Sequence, residues 1–223
     1  MDDPRSKGSI FEVEEAGGAQ PVDGGAHAEP FTGADAKKRT AQFNRWTTME
    51  TKLNRFIFDQ IESLRYLYKK RLFMPFLMIL YATIDIFGFV TASDETDTPG
   101  QHFRSFVHNF MLKYLKDVTP DDLWGARCAI LHTGTPESDH SRKNKARQIF
   151  YSWGTADSSL SKKVISKSDN PEKYVATTIE NLSEALMSAL CDLQDIIERD
   201  ASLNNLWGGR IKRFYSIIEK SGK

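Results

Sequence analysis

Apolar residues recur at three- and four-residue steps through most of this chain, so helices dominate the expected fold. Within Ala41 to Arg71 the series Leu53, Phe56, Ile57, Ile61, Leu64 and Leu67 predicts one long amphipathic helix. It ends in Lys69, Lys70 and Arg71, where the helix dipole favours positive charge. Leu72 to Val90 is apolar almost throughout, which raises the question of a membrane span. Asp85 near its middle, with Pro75 and Gly88 inside it and polar helices on either side, favours a buried central helix, because a charge at bilayer depth is costly. Thr91 to Gly100 reads as a polar loop closed by Pro99 and Gly100. Gln101 to Asp117 returns to helix, with Phe103, Phe106, Val107, Phe110, Met111, Tyr114 and Leu115 on one broad face.

The next helix is the best signalled. Thr119 is placed as its N-cap, Pro120 stands at the first helical position, and Asp121 and Asp122 fill the first turn. Leu123, Trp124, Ile130 and Leu131 form its apolar stripe, and Gly134 and Pro136 stop it after His132. Gln148 to Trp153 and Tyr174 to Ile179 are rich in β-branched and aromatic residues and read as a small antiparallel pair. Helical periodicity resumes over Glu180 to Arg199 and again over about Leu206 to Lys220. The expected architecture is mainly α, a helical bundle with a small β-hairpin insertion.

Composition changes this picture at the N-terminus. Residues 1–40 hold six of the fourteen glycines and no sustained apolar period, so they read as a disordered leader before a single helical domain over 41–223. Phe11, Val13 and Phe31 are scattered in that leader, and partner-binding anchors are the minority reading for them. Formal net charge is zero, so a globally basic nucleic-acid binder is not indicated. The two cysteines, Cys128 and Cys191, show neither CxxC nor Cys/His spacing, so neither a disulfide framework nor a metal centre is expected. Met1 to Ser9 is charged and no apolar run follows it, which predicts a cytoplasmic protein without a signal peptide.

The candidate chemistry lies on the Thr119 to His132 helix, where Arg127 and His132 are five residues apart. That spacing turns them about 140° around the helix and separates them by roughly 7.5 Å of rise. Side-by-side action within one straight helix is therefore not expected, whereas a two-fold dimer would gather two arginines and two histidines around one cleft. The pair suits phosphodiester cleavage in RNA. The 2′-hydroxyl is an internal nucleophile, histidine can take and give protons near neutral pH, and arginine offers a planar fork to phosphate oxygens. No metal or other cofactor is required. The competing structural reading pairs Arg127 with Asp121 or Asp122 and makes His132 a helix cap. Asp85 is either a carboxylate satisfied by a neighbouring helix or a group supporting the site. His102 and His108 receive no role. Arg142, Lys143, Lys145 and Arg147 form the densest basic run and offer phosphate-facing charge as readily as a solvated loop face.

The residues LWGARCAILHTGTPES, preceded by an apolar helix containing YATIDIFGF, resemble the HEPN superfamily (higher eukaryotes and prokaryotes nucleotide-binding domain). Its hallmark is an arginine, four to six intervening residues and a histidine near the end of a helix in an all-α bundle. The resemblance covers about residues 42–200 in helical order, and its specific part is this one helix and the following loop. It implies a metal-independent, dimeric endoribonuclease with a toxin or phage-defence role and an antitoxin as a further partner. It also implies that Arg127 stabilises the phosphate and His132 transfers protons. Catalytic members commonly carry a polar residue after the arginine, and Cys128 stands there. The alternative is a non-catalytic HEPN module that binds RNA, a nucleotide or a protein.

Overall fold

A computed structural model describes residues 52–132, 134–135, 137–154 and 158–213. The leader over 1–40 and the first residues of the Ala41 to Arg71 helix lie outside the described residues, as does the chain after Arg213. What is described is mostly helical. Helix α1 spans Lys52–Lys69 and α2 spans Phe73–Thr91. Helix α3 covers Pro99–Phe106, α4 Pro120–His132 and the single turn α5 Asp139–Arg142. Strand β1, Gln148–Ser152, is followed by α6, Ser159–Ser166, and by strand β2, Tyr174–Thr178. Helices α7, Ile179–Arg199, and α8, Ala201–Ile211, complete it.

Helix α2 is the hub, packing against α1, α3, α4, α7 and α8. Phe76, Leu80, Tyr81, Ile84 and Phe87 are all at most 1 % exposed along it. Pro75 falls in its first turn, where the missing N–H has no partner to lose. Gly88 lets α3 approach closely: a Cβ there would lie 2.9 Å from the His102 backbone carbonyl. Helix α2 is also the one described helix long and apolar enough to cross a membrane. Its central charge is nevertheless paired inside the fold, as described below.

Several local expectations are met. Thr119 Oγ accepts from the Asp122 amide and the Asp122 carboxylate accepts from the Thr119 amide, a reciprocal cap on α4. Gly134, after the helix, has a φ of 63°, the left-handed conformation in which glycine carries no Cβ penalty. Two expectations are corrected at α3. It starts two residues earlier than Gln101, because Thr98 and Gln101 form a capping box and Pro99 occupies the first turn. Its continuation is not α-helical to Asp117 but passes through a π-turn, Val107–Met111, and a 3₁₀ turn, Leu112–Tyr114.

The β element is corrected as well. Strands β1 and β2 pair in parallel, with Gln148 opposite Tyr174 and Ser152 opposite Thr178. A parallel pair needs a crossover connection rather than a hairpin turn. The segment read as a polar spacer supplies one in α6, which packs against both strands.

Candidate functional site

Helix α4 sets Trp124 and Arg127 three residues apart and therefore on one face. The carboxylate of Asp85, projecting from α2, accepts from Arg127 Nε at 2.7 Å and also pairs with Nη2. The remaining terminal nitrogen, Nη1, donates to His132 Nε2 at 2.7 Å. A guanidinium has only donors, so Nε2 of His132 is the acceptor and its ring proton resides on Nδ1.

This contact overturns the expectation that Arg127 and His132 cannot meet within one helix. Rotation and rise place backbone positions, whereas an arginine side chain is long and Asp85 draws this one along the helix surface. The structural partners suggested for Arg127 are also corrected. Asp121 pairs with Arg104 on α3, at 3.3 Å. Asp122 pairs with Arg147, whose Nη2 lies 2.6 Å from its Oδ2.

Burial raises the Asp85 carboxyl above the ordinary aspartate value, and the Arg127 guanidinium pulls it back only in part. Its second oxygen, Oδ1, is buried without a hydrogen-bond partner among the described residues. Beside Arg127, Cys128 is half-buried, and burial pushes its thiol up despite the neighbouring guanidinium. Asp122 goes the other way. Burial opposes its charge, but hydrogen bonds from Arg147 and Thr119 outweigh burial and hold its carboxyl below the usual range.

Arg127 and His132 open onto a cleft of about 500 Å³ whose other lining residues are Thr98, Pro99, Gly100, Arg104 and Trp124. The guanidinium carbons of Arg127 and Arg104 lie 5.1 and 5.6 Å from the Trp124 ring centroid, within cation–π range. The indole N–H of Trp124 donates to His140 Nε2 at 3.2 Å, tying α4 to α5.

The basic run splits on inspection. Arg147 spends its guanidinium on Asp122 and on the Asp117 carbonyl, so these partners hold the loop and compete with any phosphate for its donors. Arg142 pairs with Asp139 within α5. Lys145, an exposed residue, lines a second cleft of about 460 Å³ with Lys173, Asp122 and Glu172, among others. Lys143 is exposed. His102 is buried, with Nε2 2.9 Å from the Asp94 carbonyl, and His108 is exposed on the π-turn.

Sequence reasoning missed Arg104 and treated Trp124 only as part of an apolar stripe. A signal for Arg104 existed: positions three and four residues away on its helix are Gly100, Gln101, Val107 and His108, none of them a carboxylate. The site defines a helical protein with a cationic cleft built on a half-buried arginine. No protein family, curated protein or solved structure matches this chain.

Proposed function

We propose that this protein is a metal-independent endoribonuclease of the HEPN type, with a toxin or phage-defence role. The observation that carries the reading is the Asp85–Arg127–His132 relay at the wall of an open cleft. Asp85 fixes Arg127 through Nε and Nη2, so Nη1 is presented to the cleft. When RNA enters, a phosphate oxygen takes the Nη1 hydrogen bond and His132 Nε2 is released. The freed lone pair accepts the 2′-hydroxyl proton as that oxygen attacks phosphorus, and Arg127 stabilises the charge gathering on the phosphorane. The imidazolium of His132 of the partner subunit gives its proton to the departing 5′-oxygen, which leaves a 2′,3′-cyclic phosphate on the other fragment.

Labelled RNA incubated with the purified chain in EDTA tests this. Cleavage is expected to persist without divalent metal and to fall at least about 100-fold in both Arg127→Ala and His132→Ala. Undiminished cleavage in either variant removes the assignment.

One observation favours a second reading. Two of the three Arg127 nitrogens are already committed to Asp85 and the third to His132, as in a resting structural cluster. A non-catalytic module that binds RNA, a nucleotide or a protein would bind RNA in the same assay and leave it intact.

A further inference from the structure

We infer that Arg104 is a second phosphate ligand of the same cleft, so that the site grips two backbone phosphates of an RNA strand rather than one. The inference deepens the ribonuclease reading and rests on it. Three observations support it. The cleft lining contains two arginines and a histidine and no carboxylate, whereas the second cleft includes Asp122 and Glu172; an anion is the ligand the first one suits. Arg104 Nη1 is buried beside Gly100 and Trp124 with no hydrogen-bond partner among the described residues, so the guanidinium is held at the cleft wall by packing rather than by neutralising hydrogen bonds, and its charge stays available to an anion. Its ion pair with Asp121 is a single 3.3 Å contact to a carboxylate 62 % exposed, a weak and displaceable partner.

Trp124 acts as the spacer. Both guanidiniums lie against its ring, so their separation is set by one rigid side chain held in turn by His140. Gly100 completes the arrangement, since a Cβ there would come within 3.1 Å of Arg104 Nη1 and 3.0 Å of the indole. Arg127 then holds the scissile phosphate and Arg104 its neighbour. Arg104 is a positioning residue for the strand and takes no part in proton transfer.

The test is fluorescence anisotropy with a labelled, 2′-O-methylated RNA decamer, which binds but lacks the attacking hydroxyl, measured in EDTA over a salt series. Arg104→Ala is expected to weaken binding at least tenfold and to make the log-affinity against log-salt slope shallower by about 0.7, the value of one phosphate contact on a single strand. Arg104→Lys keeps the slope and restores part of the affinity, because it keeps the charge and loses the fork. Arg65→Ala, an exposed arginine on α1, leaves both unchanged. An Arg104→Ala protein with wild-type circular dichroism and unaltered affinity and slope overturns the inference. Gly100→Ala, which crowds Arg104 without removing its charge, serves as the second variant, and unaltered binding there counts against the geometry. Failure of the ribonuclease reading is distinguishable: decamer binding would fall in Arg104→Ala while unmodified RNA stayed uncut by wild type.

Discussion

The carboxylate of Asp85 does two things that pull in opposite directions. It aims Arg127 at His132, and it does so from a position where burial makes its own charge costly. Asp85→Asn keeps the shape and removes the charge that holds the guanidinium. The expected result is a fall of about 100-fold in kcat with little change in KM, because a mispositioned group costs rate more than binding. Stability supplies an independent check. A carboxyl whose folded-state pKa lies above its unfolded value binds protons more tightly when folded. Its contribution is therefore most favourable below the ordinary aspartate value of 3.8 and declines as pH rises through the raised folded value. The stability of wild type minus that of Asp85→Asn should thus fall as pH increases through that window, as read by urea unfolding at a series of pH values. A difference that rises instead would mean that Arg127 outweighs burial. Asp85 was legible in the sequence as an isolated charge in an apolar run, but its partner was not. The two residues are 42 positions apart, and only the packing of α2 on α4 joins them.

At the scale of elements, positions were legible where local chemistry decides them. Caps at Thr119 and the charged end of α1 depend on residues within a turn, and they lie where expected. Strand pairing does not depend on neighbours in that way. Two β-rich runs separated by a polar stretch fit a hairpin or a crossover equally well until α6 is recognised, and Leu160, Val164 and Ile165 leave it a thin apolar pattern. The contact of α2 with α3 is the one on which the site's geometry leans most, because α2 carries Asp85 and α3 carries Arg104. Gly88→Ala pushes a methyl against the His102 backbone, which cannot give way as a side-chain tip would. The expected cost is about 1–3 kcal/mol, seen as a lowered Tm. RNA cleavage should weaken along with it as the two charged helices separate. A variant that melts like wild type would show that α3 can slide without loss.

For the whole molecule the question is whether one chain suffices. Contact alone no longer calls for a partner, since Arg127 and His132 touch within one protomer. The chemistry still does. In an in-line displacement the attacking and leaving oxygens lie on opposite sides of phosphorus, and one imidazole cannot serve both in a single step. Two copies of α4 around a shared cleft would supply a histidine to each side, which keeps the homodimer as our proposal for the working form. Mixing separates the cases. Wild type mixed with an excess of His132→Ala chains and allowed to exchange subunits should lose its cleavage as it is drawn into mixed dimers, because such a dimer holds one histidine where the two-sided chemistry needs two. Activity of the wild type per chain should also fall on dilution below the dimer dissociation constant. If exchange is shown by light scattering of size-tagged chains and the mixture keeps cleavage in proportion to its wild-type content, the site belongs to a single chain. His132 must then act on one oxygen only, and the second proton has to pass through water.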